Sequence, residues 1–434
     1  MINKNYFTLI IFFFALYACA DKPVEEESKE LRFSVLSYDA EISETLTLDK
    51  SEIQLDTPKE FYYWSKDYQN PQNNINHIFT SATLKSKKKI ITGKKDPINI
   101  IQPVFFENTI CNLVSNGFVE CINTSTNKSK FKTDIKNDNI KKYEIIRGGL
   151  SYFDEKILFV DGYGQIILLD TNNGEIIWEK IISFPILSSP LIYRGYAYFV
   201  SLDNRLFAIE FDTGEIAWTF QTIAESKKNL STASPVAFEN IVVSPFSNGE
   251  LIAFKYDDGT PLWSENVSKL SIISNFDIKD ISANPVISSN NIYALSTNGK
   301  FLSINLINGK RNWSVEISGS NTPIISGDQI YILDNQSKLI CLNRTTGEIY
   351  WITQLKKFRK GEKASNLNLW LGPYAINNHL YLISYFGELI ILSPNSGEIL
   401  DSNNLGINGI MVPPIILSDR FYLVDGNSNV YKFE

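Results

Sequence analysis

From about residue 103 onward, short apolar runs alternate with clusters of Asn, Asp, Gly, Thr and Ser. Inside the runs, apolar and small or polar residues trade places with period two, which is the pattern of β-strands rather than helices. Asn291-Ile292-Tyr293-Ala294-Leu295-Ser296-Thr297-Asn298-Gly299-Lys300-Phe301 is one instance, and Tyr381 to Leu389, turning at Phe386-Gly387, is another. Asn-Gly between two such runs predicts a tight hairpin.

The pattern repeats. Five segments carry a Gly followed four residues later by a Trp: Gly174 and Trp178, Gly214 and Trp218, Gly259 and Trp263, Gly309 and Trp313, Gly347 and Trp351. A sixth keeps Gly397 but has Asp401 in the Trp place. A first copy, at Cys121-Ile122-Asn123, has Asn127 in the Gly place. In each unit a strand ends at a polar turn such as Asp212-Thr213-Gly214-Glu215. The Gly supplies the positive φ of that turn, and the next strand carries a Trp large enough to cover the seam to a neighbouring unit. Upstream, each unit opens at Pro103, Gly148-Gly149, Pro190, Pro235, Pro285, Pro323, Pro373 or Pro413. Four short strands in a period of roughly 40 to 50 residues predict a propeller blade. The fold class read from the sequence is therefore all-β: an eight-bladed β-propeller of four-stranded antiparallel blades. The last blade stops at Glu434 without its outermost strand. A strand from the region of Ile78 to Ile91 is expected to complete it and close the ring, which removes a sticky edge.

The N-terminus is patterned differently. Lys4 precedes an apolar run from Tyr6 to Leu16, too short to span a bilayer, then Leu16-Tyr17-Ala18-Cys19. This is the layout of a secretory signal ending at a cleavage point. Asp21 to Glu30 holds five acids and two lysines without apolar periodicity, and reads as a solvated tether. The expected organisation is a signal peptide over 1–18, a tether over 19–50, an extension with the ring-closing strand over 51–102, and the propeller over 103–434.

Charge and composition narrow the chemistry. Lys plus Arg is 41 against 48 Asp plus Glu, a net charge of −7. That argues against nucleic-acid binding, which needs a basic surface. Only two histidines are present, His77 and His379, which argues against multi-His metal sites and Ser-His-Asp catalysis. No catalytic residue, metal ligand or cofactor site is expected. The turn acids Asp170, Glu175, Glu215 and Glu348 follow the repeat and read as solvated turn chemistry.

The residues Ala208, Glu210, Thr213, Gly214, Glu215 and Trp218 resemble the tryptophan-docking motif of quinoprotein-type propellers. Leu16 to Cys19 resembles a bacterial lipobox. Together with eight blades, they make the mature chain similar to the BamB family of lipoproteins that assemble outer-membrane β-barrels. The stretch Trp64 to His77 is similar to the segment before the first blade in α-proteobacterial members. The resemblance implies a lipidated Cys19, an outer-membrane location facing the periplasm, and no enzymatic activity. It implies as partners the periplasmic domains of the barrel-assembly protein, with nascent outer-membrane polypeptides as clients. Family contacts lie on loops between the third, fourth and fifth blades, which here carry Leu230 and Asp280-Ile281-Ser282. The family's Arg and its second acid are absent, Leu230 and Ser282 standing near or at those places. Two alternatives remain: a quinone-cofactor dehydrogenase on the same fold, or another periplasmic propeller adaptor.

Cys111 and Cys121 flank Ser115-Asn116-Gly117 symmetrically and could pair across a hairpin in an oxidising compartment. Cys121 and Cys341 also occupy the repeat slot held elsewhere by Ala208, Ala253 and Ser303, which favours small buried thiols.

Overall fold

A computed structural model describes residues 42–45, 48–93, 101–114, 117–136, 148–223, 233–268, 280–358 and 367–434. Cys19 and Leu230 lie outside the described residues. The body from Ile42 to Glu434 is one unit. Its strands form eight sheets, seven of four strands and one of six, arranged as the predicted blades. Blade 3 is representative: Leu191–Tyr193, Tyr196–Val200, Arg205–Glu210 and Ile216–Gln221 run up and down from the axis outward. The innermost strands begin at Val104, Gly148, Leu191, Val236, Val286, Ile324, Trp370 and Ile415, at or beside the predicted openers.

The middle strands of a blade are buried on both faces, whereas outer strands such as Ile216–Gln221 alternate exposed and half-buried positions. This is why the middle strands read as nearly continuous apolar runs. The core lies between blades: Leu158, Val160, Ile166 and Leu168 of blade 2 form one cluster with Ala197, Phe199, Phe207 and Ile209 of blade 3. Up-and-down connectivity gives the ring two ends. The first and third hairpins of each blade make a turn end, and the second hairpins with the connections between blades make a loop end.

The docking tryptophans join the blades at the turn end. Each indole Nε1 donates to a carbonyl of the next blade: Trp178 to Phe211 (3.2 Å), Trp218 to Tyr256 (3.2 Å), Trp263 to Leu306 (2.7 Å), Trp313 to Arg344 (3.0 Å) and Trp351 to Pro394 (3.0 Å). The repeat glycine has a second reason beyond its positive φ. A Cβ on Gly214 would stand 2.9 Å from the Trp178 ring, and one on Gly259 would stand 2.5 Å from Trp218. The Gly of one blade therefore seats the Trp of the blade before it. Phe131 takes the Trp role against Gly174. Asp401 has no such turn to meet, because the outermost strand of blade 8 comes from the N-terminal extension.

That strand is Lys87–Ile91, antiparallel to Val430–Phe433, so the ring closes as expected. The expected single strand from Ile78 to Ile91 is, however, two. His77–Phe79 pairs in parallel with Trp370–Ile376, the innermost strand of blade 7, and Lys59–Glu60 pairs with His77–Phe79. Described residues before 51 also pack on the propeller. Thr45 N donates to Ile349 O (2.8 Å), and Glu44 Oε1 accepts from Ile352 N (3.1 Å), so residues 42–45 lie along the outer strand of blade 6.

Cys111 and Cys121 form a disulfide, which corrects the expectation of inert thiols. They are direct cross-strand partners. The same slot faces Tyr198 from Ala208, Tyr293 from Ser303 and Tyr331 from Cys341. Only in blade 1 does a second cysteine stand opposite. Cys341 remains a buried free thiol, its pKa pushed well up by burial. Replacing Cys111 and Cys121 together by Ala is expected to cost about 2–3 kcal/mol in urea unfolding, the value for a short closed loop. Cys341→Ala, measured alongside, should show no dependence on prior reduction.

Candidate functional site

At the turn end the inner strands are crossed by the chain itself. Residues 54–81 hydrogen-bond to every blade. Trp64 and Phe105 of blade 1 exchange N–H···O bonds of 2.7 and 2.9 Å. Ser65 O accepts from Tyr152 N of blade 2, Pro71 O from Ala237 N of blade 4, and Gln72 O from Ile287 N of blade 5. Asp67 accepts from Ser189 Oγ of blade 3, Asp56 N donates to Ser326 Oγ of blade 6, and Ile78 and Phe61 accept from Asn377 N of blade 7 and Ser418 N of blade 8. Inner strands leave one edge without a sheet partner, and this segment satisfies part of that edge. Trp64 is fully buried at its centre.

The plug holds two buried ionisable groups. Lys66 is 3% exposed. Its Nζ donates to the neutral Asn73 Oδ1 at 2.5 Å, and burial pushes its pKa down to about 8, with the Asp67 carboxylate opposing. His77 is fully buried, with Nδ1 2.5 Å from Asp56 O and Nε2 accepting from Asn378 N at 2.9 Å. Both contacts are served by one neutral tautomer, and desolvation lowers the pKa accordingly.

The sequence-predicted partner residues distribute unevenly. Asp280 and Ile281 are each 1% exposed. Asp280 O accepts from Thr297 N (3.1 Å) and Thr297 Oγ1 (2.9 Å), and Ile281 joins the apolar cluster between blades 4 and 5. Both are buried where the chain joins blade 5. Ser282 reaches solvent in part and donates from Oγ to Asp280 Oδ2 (3.1 Å). The five docking tryptophans are structural, as their registration implied. Trp370, outside that register, is buried and donates to Lys356 O (3.0 Å).

The sequence missed an apolar surface at the loop end. Phe184, Ile223, Phe358, Leu367, Leu369 and Met411 are all exposed, Ile223 at 81% and Leu369 at 59%, and all lie in connections between blades. In a repeat register these connections are the least periodic parts, so no pattern marked them. Among the described residues no group of three or more His, Cys, Asp or Glu is placed to hold a metal ion, and no helix is long and apolar enough to cross a membrane.

A family model described as outer membrane protein assembly factor BamB matches residues 103–353. The chain belongs to the BamB family. A BamB of Yersinia pestis is 21% identical over 358 residues, covering 79% of this chain and 86% of that protein. The crystal structure of BamB from Moraxella catarrhalis superposes with a TM-score of 0.68 at 17% identity, over 80% of this chain and all of that one. A quinohemoprotein alcohol dehydrogenase from Comamonas testosteroni superposes at 0.65 with 12% identity, over 87% and 81%. That likeness shows the shared propeller fold and nothing of activity.

Proposed function

We propose that this BamB-family chain is a non-enzymatic scaffold subunit of the outer-membrane β-barrel assembly machinery. Lipidated at Cys19, it would sit on the outer membrane facing the periplasm. Its loop end would bind the periplasmic domains of the barrel-assembly protein and aid insertion of nascent outer-membrane polypeptides. The observation that carries the reading is the loop end itself: six exposed apolar side chains on a rigid ring, a combination that marks protein interaction surfaces. Leu230 and Ser282 are proposed contacts there, while Asp280 and Ile281 position the loop. The quinone-cofactor alternative rests on the fold likeness alone.

The test is recovery of the tagged full-length protein from mildly solubilised membranes. The barrel-assembly protein should co-purify, and Ile223→Asp combined with Leu369→Asp should cut its yield about tenfold or more, since truncated or charged apolar anchors dominate interface losses. Equal recovery from both versions would move the contact off this surface. Recovery of a different envelope complex from both would support another periplasmic adaptor role.

A further inference from the structure

The turn end carries a second surface, on the opposite side of the ring from the one just described. Tyr62 is 66% exposed, Tyr63 54%, Phe153 50% and Phe79 40%. The plug carries Tyr62, Tyr63 and Phe79 to the turn end, where Phe153 ends the inner strand of blade 2 and packs edge-on against Phe211 (5.8 Å between ring centres). Phe79 pairs in register with Glu60, and Tyr62 Oη is hydrogen-bonded to the Glu60 carboxylate. Tyr63 precedes Trp64 and Ser65, whose backbones bond to Phe105 and Tyr152, and Phe153 follows directly. Four large, partly exposed aromatic side chains at one end of the ring are more than scattered surface apolars.

Their surroundings select an occupant. Glu60, Glu107, Asp154, Glu155 and Asp419 are exposed on the adjoining segments. The hydrogen bond to Glu60, helped by the Glu60 charge, holds the Tyr62 phenol above its usual pKa, and Tyr152 is raised by burial together with Glu107, Glu155 and Asp154. Of the nearby cations, Arg420 is paired with Asp419 (3.1 Å) and Lys156 with Asp212 (2.8 Å); Lys59 also lies here. Lys432, paired with Glu434, meets Thr124 beside Arg420, and among these groups carboxylates outnumber cations. Aromatic faces inside a carboxylate rim suit a cation whose alkyl stem packs on the rings. An anionic membrane surface would be repelled by the same rim.

We propose that the turn-end mouth, centred on Tyr62, Tyr63, Phe79 and Phe153, is a docking surface for an extended polypeptide segment bearing Lys and Arg. Such a surface lets one propeller engage a partner at each end. It does not depend on the reading given for the loop end.

A fluorescein-labelled dodecapeptide of repeating Gly-Lys-Ser-Arg, and its Gly-Glu-Ser-Asp counterpart, would be titrated against the full-length protein in detergent by anisotropy. The basic peptide should bind and the acidic one should not. Tyr62→Ser combined with Tyr63→Ser should weaken binding about tenfold, from the loss of two ring contacts. Glu60→Gln combined with Asp154→Asn should weaken it severalfold and flatten its salt dependence. Both pairs are exposed, so the urea midpoint should stay at the wild-type value. Equal binding to wild type and the Tyr pair would overturn the proposal, as would no binding at all. Binding to neutral phosphatidylcholine vesicles that is lost in the Tyr pair, without peptide binding, would assign the surface to lipid instead.

Discussion

Trp64→Ala will destabilise the whole propeller, by about 3–5 kcal/mol, the range for removing a buried Trp. Trp64 is 0% exposed, exchanges backbone bonds with Phe105 and shares one core cluster with Ile324, Tyr374 and Ile415 of blades 6, 7 and 8. Its indole Nε1 makes no hydrogen bond among the described residues, so its contribution is volume and contact rather than polarity. Trp64→Phe is therefore expected to cost less than about 1.5 kcal/mol, as a near-conservative apolar exchange does. The two variants separate packing from hydrogen bonding. The Ala variant should also speed hydrogen exchange at the amides of Tyr152, Ala237 and Ile287, which donate to plug carbonyls, because a loosened plug releases them together. If Ala and Phe behave alike and those amides stay protected, Trp64 fills only a local gap and the plug does not tie the blades.

The blades were legible because their chemistry repeats. Each Gly and Trp recurs at one register, and each Pro or Gly-Gly opener stands beside an inner strand. Even Asp401 was informative: the Trp is missing where the structure provides no neighbouring turn glycine to receive it. The plug was not legible. Its polar residues, including Asn70, Asn73 and Asn76, read as loop, because their partners come from strands hundreds of positions away. Asn73 Nδ2, for example, donates to Pro285 O at 3.2 Å. A strand pattern also cannot show that a segment pairs with an inner edge instead of an outer one. The lone His77 lacked a nearby ligand in sequence and proves to be a pin between Asp56 and Asn378. The disulfide needed the slot-to-slot pairing of the repeat, which places Cys111 where other blades have Tyr or Val. Asp280 matches a family contact position, and its carbonyl is also tied to Thr297 of blade 5.

Plug and rim together give the ring a mechanical logic. Residues 42–45 cover the outer strand of blade 6, residues 54–81 cross the turn end against every inner strand, and Lys87–Ile91 forms the outermost strand of blade 8. An open array of blades would leave both an unpaired outer edge and uncovered inner edges. The extension resolves both, so ring closure and inner-edge pairing are coupled through the same segment. Loops at the far end are then free to vary, since they contribute little to closure.

Lys66→Met will stabilise the protein at pH 7. Burial holds the Lys66 pKa near 8 in the folded chain, against 10.5 as the ordinary value. Keeping the ammonium inside at neutral pH thus costs about 3 kcal/mol, from 1.36 kcal/mol per unit. Removing it relieves that cost but strands Asn73 Oδ1, the acceptor of its hydrogen bond, at about 1 kcal/mol. The net gain is expected to be about 2 kcal/mol, consistent with apolar replacement of buried ions elsewhere. The pH profile identifies the cause. The folded pKa lies below the unfolded one, so between about pH 8 and 10.5 the unfolded chain holds a proton that the folded chain has lost. Wild-type stability from this group therefore rises with pH across that window and is lowest below it. In Lys66→Met that rise should vanish, and the two proteins should converge as pH approaches 10.5. Urea midpoints from pH 7 to 10.5 give the comparison. A Met variant less stable than wild type at pH 7, with an unchanged pH slope, would mean that the ammonium is well solvated in the channel and that Lys66 anchors the plug through its charge.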